Sequence, residues 1–292
     1  MGQSGSGLRL SALVTMALVA FAANSVLCRM ALAGSSTIDP LTFTSVRVGG
    51  GALTLAVLVA FRGGLRPLGG SVAGAAALLV YAGPFSYAYV ELATGTGALV
   101  LFAAVQLTMI GVGLRGGERP RPTEWLGFVL AFGGLVVLVF PGIEAPDPLG
   151  ALLMAIAGVG WGVYSLLGRK SGGDPTRTTA GNFIRGAIVV VPAALISHGT
   201  GHASWDGSGL FLAAASGALA SGLGYAIWYA ALRDLSATRA GFVQLTVPIL
   251  AAAAGIVILD EALTLRFAIA SVVVLGGVAL SIAPKRTVRD SG

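Results

Sequence analysis

The chain has 292 residues, of which 55% are hydrophobic and only 10% are charged, with a net charge of +6. Its mean hydropathy is +0.88, whereas soluble globular proteins carry about 25% charged residues. The composition therefore excludes a soluble protein, because there are too few charged side chains to cover a water-exposed surface.

Ten apolar segments follow one another along the chain, and most approach the ~20 residues that an α-helix needs to cross a bilayer. They lie at 9–31, 41–61, 71–91, 95–114, 124–141, 149–169, 178–197, 208–232, 239–259 and 264–283. The pattern predicts an all-α integral membrane protein with ten transmembrane helices. The connections are short, and the tails at 1–8 and 284–292 are too short to fold.

The positive charges concentrate at alternate connections. If the N-terminus is cytoplasmic, 14 of the 18 Lys and Arg residues lie in the tails and connections on the cytoplasmic side, and Arg29 and Arg266 lie outside. Cytoplasmic loops are enriched in Lys and Arg. The distribution predicts that the N- and C-termini are both cytoplasmic. It also explains the net positive charge without a nucleic-acid partner.

The second half of the chain repeats the first. Tyr87 and Tyr225 are separated by the same 138 positions as Gln106 and Gln244, each of which begins a Gln-Leu-Thr triplet. A repeat of nearly half the chain length indicates two copies of one structural unit.

The ten segments divide into a first five-helix repeat at 1–142 and a second at 143–292. Because five is odd, the second repeat enters the membrane from the opposite side, so the two are predicted to be inverted repeats. Transporters built from inverted repeats bind substrate near the bilayer midplane and open to each side in turn.

The second repeat carries the most specific motifs. They are Ala230-Ala231-Leu232-Arg233, Ser236-Ala237-Thr238-Arg239-Ala240, Pro248, Leu259-Asp260-Glu261-Ala262-Leu263-Thr264 and Gly276-Gly277. With the more loosely matching Gly117-Glu118-Arg119 and Gly133-Gly134 of the first repeat, the chain resembles the drug/metabolite transporter (DMT) superfamily, EamA type. It departs from a symmetric pattern at Ile110, which occupies the slot that Pro248 fills in the second repeat.

The resemblance implies a transporter rather than an enzyme, located in the plasma membrane, which in a bacterium is the inner membrane. Within the superfamily the chain looks most like bacterial exporters of amino acids, including aromatic ones. A multidrug cation exporter, a nucleotide-sugar carrier and, more remotely, a lipid-modifying membrane enzyme are the alternatives. The chain is expected to act as a monomer or weak dimer, with lipid and a small-molecule substrate as partners.

Polar and aromatic residues within the spans are the candidate substrate-binding residues. They are Asn24, Tyr81, Tyr87, Gln106, Trp161, Tyr164, Tyr225, Trp228, Tyr229 and Gln244. Trp161 lies about twelve residues into its span, too deep for the interfacial aromatic belt, so it lines a cavity, faces lipid or packs in the core. The deep amides of Gln106 and Gln244 need partners, either another helix or the substrate.

Three charged residues fall within predicted spans. Arg47 and Arg185 either extend to the nearer interface or face protein or water inside the bundle, where they could attract a carboxylate. Glu91 is the only acidic residue within a predicted span, and it lies at the edge. The sequence therefore predicts transport down a gradient without obligatory proton movement.

The sequence predicts no cofactor and no metal. It contains no phosphate-binding loop, and His198 and His202 form a pair without further ligands nearby. Pairs of small residues at helical spacing, such as Gly158 and Gly162 or Gly217 and Ser221, predict close helix packing within the monomer or at a dimer interface.

Overall fold

The computed structural model describes residues 2–34, 36–63, 68–117, 122–142, 145–170, 174–232, 234–235, 243–244 and 246–282. Within these ranges every regular element is helical. The predictions for Glu118, for Ser236–Ala240 and for the tail at 284–292 fall outside them.

The helices are numbered here in chain order. They are α1 (Gly2–Ala33), α2 (Pro40–Gly63), α3 (Val72–Ala88), α4 (Thr94–Arg115), α5 (Pro122–Val139), α6 (Pro148–Lys170), α7 (Pro175–Gly199), α8 (Gly207–Ala215), π1 (Ser216–Leu223), α9 (Gly224–Leu232), α10 (Thr246–Leu259) and α11 (Leu265–Ile282). Here α8, π1 and α9 follow one another without a break, and π1 is a π-helix.

Seven helices of the described chain are long and apolar enough to cross a membrane, and three apolar helices are shorter. The seven are Leu8–Ala33, Pro40–Arg62, Thr94–Arg115, Pro122–Val139, Pro148–Arg169, Pro175–Gly199 and Gly207–Ala231, and the shorter three are Val72–Ala88, Thr246–Leu259 and Leu265–Leu280. The predicted all-α class is confirmed, whereas the number of spanning helices stays a prediction.

Two local features differ from the sequence prediction. Helix α1 begins at Gly2, so most of the tail predicted at 1–8 is helical, because extending an existing helix is much easier than nucleating one. The segment predicted as one regular helix at 208–232 contains π1, which apolar length alone could not reveal.

The bundle is apolar outside and partly polar inside, the reverse of a soluble protein. Phe61 is 86% exposed, and Ile188 and Val272 are also largely exposed, whereas Asn24 and Arg47 are buried. Apolar side chains can face lipid, while polar groups at membrane depth need partners inside the protein. The observed distribution therefore fits a membrane-embedded bundle.

Glycines allow α6 to pack directly on two neighbouring helices. A Cβ atom on Gly158 would lie 2.6 Å from the carbonyl oxygen of Leu101 in α4, and one on Gly160 would lie 2.7 Å from the backbone nitrogen of Tyr81 in α3. Both distances are shorter than a van der Waals contact. The small residues of α6 thus serve packing within the chain, as their spacing suggested.

A methyl group at Gly160 should therefore destabilise the protein. We expect Gly160→Ala to lower the free energy of unfolding by about 1–3 kcal/mol, the usual effect of overpacking. Thermal unfolding in detergent measures the effect. Gly111→Ala is the matched control, because a Cβ there meets nothing within 4 Å, and Gly→Ala in an open helical position stabilises by about 0.4–1 kcal/mol. Equal melting temperatures for both variants would contradict the packing assignment.

The connections at one end of the bundle are joined to each other. The backbone N–H of Asp39 donates to the carbonyl of Ser204 at 2.9 Å, and Ser204 N–H donates to the Asp39 carboxylate at 3.1 Å. Ser36 donates to Asp206 at 2.8 Å. Asp206 also caps α8 by accepting from Gly209 N–H at 2.8 Å. These bonds tie the α1–α2 connection to the α7–α8 connection.

Candidate functional site

An aromatic cluster lies near the middle of the bundle. Its members are Phe21 on α1, Tyr81 on α3, Trp161 on α6, and Tyr225 and Trp228 on α9. The Trp161 ring centroid lies 5.0 Å from that of Tyr81, 4.9 Å from that of Tyr225 and 6.0 Å from that of Phe21. Phe21 packs edge-on against Trp228 at 5.7 Å. Both halves of the chain contribute to this cluster.

The aromatic cluster surrounds a small internal cavity of about 20 Å³. The lining residues come from α1, α3, α4, α6 and α9, and they are Phe21, Asn24, Ser25, Tyr81, Phe85, Leu101, Phe102, Trp161 and Tyr225. A volume of this size holds about one water molecule. A metabolite therefore fits only after the helices around the cavity have separated.

Arg47 lies directly behind the cavity wall. Its Nη2 donates to the Tyr81 hydroxyl at 2.7 Å and its Nε donates to Ser221 at 3.2 Å. The guanidinium carbon lies 5.0 Å from the centroid of the Tyr81 ring and 4.8 Å from that of Phe85. Only 2% of Arg47 is exposed. Its charge therefore stays inside the bundle rather than extending to an interface.

The π-helix π1 supplies two of the polar contacts. Ser216 donates to Asn24 Oδ1 at 2.7 Å, and Ser221 accepts from Arg47. These serines are five residues apart, and a π-helix, whose hydrogen bonds join residues i and i+5, brings them to a similar face. Gly217 lies between them and packs against the Arg47 backbone, with its ideal Cβ 2.9 Å from the Arg47 Cα. Single-turn π segments are frequent at functional sites.

Asn24 completes a continuous polar network. Its Nδ2 donates to the Tyr81 hydroxyl at 3.3 Å while its Oδ1 accepts from Ser216. The network thus runs from Ser216 through Asn24 and Tyr81 to Arg47. It connects α1, α2 and α3 of the first half with π1 of the second half.

Other predicted site residues lie at varying distances from the cavity. Tyr164 stacks on Trp161 with centroids 5.7 Å apart. Tyr229 contacts Gly168 on α6, with its hydroxyl 3.2 Å from the ideal glycine Cβ. Tyr87 is 47% exposed, and the structure does not bring it to the aromatic cluster.

The two predicted glutamines occupy different environments. Gln106 is buried within α4. Gln244 is partly buried just before α10, and its side chain or backbone makes a contact with the rest of the protein. Neither glutamine lines the 20 Å³ cavity. Their predicted substrate contacts stay predictions.

Arg185 behaves differently from Arg47. Its Nη1 donates to the carbonyl oxygens of Gly69 and Gly181, each at 2.9 Å. Gly69 lies in the α2–α3 connection, so Arg185 reaches the end of the bundle, as expected for a snorkelling side chain.

A polar contact that we call the clasp closes one end of the bundle beyond the cavity. It consists of Arg29 on α1, Thr94 at the start of α4 and Glu261 after α10. Both Glu261 oxygens accept from Thr94 N–H at 2.9 Å, and one lies 3.4 Å from Arg29 Nε. The carboxylate also interacts favourably with the positive end of the α4 dipole.

Arg29 extends the clasp to a fourth helix. Its Nη1 donates to the carbonyl oxygens of Tyr89 and Val90 at 3.0 and 2.7 Å, just after α3 ends. Arg29 lies five residues beyond Asn24 on α1, so the clasp is a little more than one helical turn above the polar network. Separation of the two halves at this end requires the contacts of Glu261 with Thr94 and Arg29 to break.

An open pocket of about 240 Å³ lies on the other side of Glu261. Its polar lining includes Glu91, Asp147, Glu261 and Thr264, and Leu92 and Phe267 provide apolar walls. Glu91 is exposed there. It lies in the connection between α3 and α4 rather than within a helix.

The sequence could have signalled part of what it missed. The sequence marks Arg47 as a residue that could attract a carboxylate but does not place it among the predicted binding residues, and its depth in the predicted span is the available signal. The two Ser-Gly pairs of π1, beginning at Ser216 and Ser221, are the kind of sequence at which helices deviate from regularity. The partnership of Arg29 with Glu261 had no signal, because these residues are distant in sequence.

Comparison with known proteins supplies the context for this geometry. The profile of the EamA-like transporter family matches residues 148–283. An uncharacterized protein of Pseudomonas aeruginosa is 51% identical over 274 residues, which is 94% of each chain. The threonine/homoserine exporter RhtA of Salmonella typhimurium is 34% identical over 148 residues, which is 49% of each chain.

Two further relatives extend over most of the chain. An uncharacterized transporter of Archaeoglobus fulgidus is 28% identical over 70% of this chain and 72% of that protein. A protein known from a crystal structure superposes with a TM-score of 0.67, covering 93% of this chain and 97% of that chain at 22% identity. At 22% identity, the match to the crystal structure shows a similar fold and nothing further.

Proposed function

Because the chain belongs to the EamA-like transporter family, we propose that it carries amino acids, including aromatic ones, across the membrane by alternating access. The chain is a multi-pass protein of the plasma membrane, the inner membrane in a bacterium. The observation that carries the proposal is the polar and aromatic site enclosed midway through the bundle, where both halves meet. Transporters made of repeats bind their substrates at this level.

The chemistry of the site suits an amphiphilic metabolite. Phe21, Trp161 and Tyr225 offer apolar and aromatic surface for a side chain, and Asn24 offers an amide and Arg47 a positive charge. An exporter relative, RhtA, matches half of this chain. Export is the proposed direction, because a cell that makes the metabolite holds it at high internal concentration.

We also propose that ten helices form two inverted repeats at 1–142 and 143–292. The packing supports this arrangement, in which α6 corresponds to α1, the α8–π1–α9 segment to α3, and α10 to α4. The contact of α3 with α6 has its counterpart in the contact of α1 with π1 and α9. The contact of α4 with α6 has its counterpart in the contact of α1 with α10. The pairs α2 with α7 and α5 with α11 join corresponding helices. Most contacts between halves thus have a counterpart when the halves are exchanged, as a pseudo-two-fold axis requires.

The clasp end is proposed to face outward, with both termini in the cytoplasm. In a background with Cys28→Ser, single cysteines introduced by Ser4→Cys and Ser204→Cys should react from opposite sides with an impermeant thiol reagent. We expect intact cells to label the Ser204 variant and inside-out vesicles to label the Ser4 variant. Labelling of both variants only in intact cells would contradict the orientation and the inverted repeats.

A competition panel in proteoliposomes tests the proposed substrate class. Labelled L-threonine and L-phenylalanine are offered separately, with unlabelled amino acids, organic cations or nucleotide sugars as competitors. We expect amino acids to reduce uptake and the other two classes to leave it unchanged. Uptake that is absent for both probes, or is blocked only by cations or nucleotide sugars, would overturn the amino-acid proposal.

A further inference from the structure

We propose that Arg47 binds the carboxylate of the transported solute, so that the site selects solutes with an anionic group. This inference rests on the proposed function, because it assigns a substrate group to the same midway site. It adds a charge requirement to a site whose lining is otherwise aromatic and neutral.

Burial makes the charge of Arg47 unusual. The side chain is 2% exposed, and in the described residues no carboxylate forms an ion pair with it. The groups within hydrogen-bonding reach are the neutral hydroxyls of Tyr81 and Ser221. A charge taken out of water is strongly unfavourable unless it is paired. Within the part of the chain that the structure describes, the fold thus maintains a positive centre without a protein anion to balance it.

One nitrogen of the guanidinium remains available. Nη1 of Arg47 is buried and makes no hydrogen bond within the described structure. A guanidinium presents its donors in a planar fork that matches the two oxygens of a carboxylate. Nε and Nη2 donate to neutral hydroxyls, which a carboxylate can replace as acceptors. Once the surrounding helices separate, a carboxylate can therefore accept hydrogen bonds from both Nη1 and Nη2.

The path to the cavity is short. Arg47 lies over the faces of Tyr81 and Phe85, and both of these residues line the cavity. The rings of Tyr81 and Phe85 therefore lie between the guanidinium and the cavity. Movement of these rings, of which Tyr81 already binds both Arg47 and Asn24 through its hydroxyl, would expose the charge to the solute.

The aromatic lining suits the other end of a zwitterion. Trp161 and Tyr225 also line the cavity, and aromatic rings attract an ammonium group. A solute could therefore place its carboxylate on Arg47 and its ammonium group against the aromatic lining. An amino acid has this arrangement of charges, whereas a cationic drug lacks the anionic end.

Arg185 provides a natural contrast. It occupies a similar depth in the other half of the sequence, but its Nη1 donates to two backbone carbonyls. A structural arginine of this kind needs no solute. Substitution of Arg185 therefore controls for the general effect of removing an arginine from the bundle.

The test compares pairs of probes that differ only in charge. Thermal unfolding of the purified protein in detergent is measured with acetate or benzoate and with their neutral counterparts, acetamide and benzamide. We expect the carboxylates, not the amides, to raise the melting temperature of the wild type and of Arg185→Gln. In Arg47→Gln the carboxylate effect should vanish, and Arg47→Lys should retain part of it. Loss of a charge-assisted bond corresponds to roughly a 10- to 100-fold weaker binding constant.

Either of two outcomes overturns the inference. One is equal stabilisation by carboxylates and amides in the wild type, and the other is an unchanged carboxylate effect in Arg47→Gln. If Arg47→Gln does not fold, Arg47→Lys is compared with Arg185→Lys. Weaker carboxylate binding in Arg47→Lys alone supports the inference, and equal binding in the two variants overturns it. Because this assay needs no transport, its result is separate from that of the amino-acid panel. Carboxylate binding through Arg47 without amino-acid uptake would contradict the proposed substrate class but not the role of Arg47.

Discussion

Trp161→Ala is expected to abolish most transport by each folded protein molecule. The indole contacts rings from α1, α3 and α9 at centroid distances of 4.9–6.0 Å, so its loss removes the largest surface that a solute could contact. Loss of a buried Trp also lowers stability by roughly 3–5 kcal/mol. Uptake in proteoliposomes must therefore be divided by the amount of correctly folded protein.

Two further variants test whether Trp161 contacts the solute or only packs the protein interior. Trp161→Phe retains an aromatic ring and should keep a substantial part of transport, while Trp125→Ala, at a half-exposed position of α5, should behave as the wild type. Normal uptake per folded molecule in Trp161→Ala would mean that Trp161 only packs the interior.

Glu261→Ala is expected to open the clasp end. The carboxylate joins Thr94 N–H at 2.9 Å to Arg29 Nε at 3.4 Å, so its removal leaves Arg29 and the start of α4 without their shared partner. The closed arrangement then loses a charge-assisted contact, which is worth about 1.5–3 kcal/mol. The balance between closed and open forms should shift towards the open one.

A cysteine inside the cavity reports this shift. Ser25→Cys places a thiol on the cavity wall in a background with Cys28→Ser, and its reaction rate with an impermeant reagent in intact cells measures opening. We expect Glu261→Ala to raise the rate at least about tenfold, the equivalent of 1.4 kcal/mol. Glu91→Ala, an exposed carboxylate of the neighbouring pocket, is the matched control. Equal rates in the two variants would show that the clasp does not hold this end closed.

The all-helical architecture could be predicted from sequence because the bilayer permits few alternatives. Each apolar segment must satisfy its backbone hydrogen bonds internally, and a helix does so. The end points were less certain, since α1 begins at Gly2 and α3 already ends at Ala88, before the predicted residue 91. The length of an apolar segment predicts that a helix is present, but it predicts the first and last residues of that helix less accurately.

The arrangement of the site was harder to predict because apolar helices give little indication of which face is buried. Tyr81 and Tyr87 lie six residues apart on α3, yet the first is buried in the aromatic cluster and the second is 47% exposed. In a soluble helix, polar residues would mark the outer face. In this helix lipid and protein interior are both apolar, so the rotation of α3 follows only from packing.

Long-range pairs were beyond sequence reasoning altogether. Glu261 belongs to a motif that was recognised, but its contacts with Thr94 and Arg29 join residues from opposite halves. Arg47 is predicted to lie within a span and is buried in α2, while its hydroxyl partner Ser221 depends on the unpredicted π1. A single sequence gives the depth of these groups but not their neighbours.

The most direct test of the central claim asks whether the midway cavity opens to both sides and holds the solute. The Ser25→Cys protein is labelled with the impermeant reagent in right-side-out and in inside-out vesicles, with and without a saturating amino acid from the competition panel. We predict reaction from both sides and slower reaction from both sides when the amino acid is present. Reaction from one side alone, or a rate that the amino acid leaves unchanged, would contradict alternating access through this cavity.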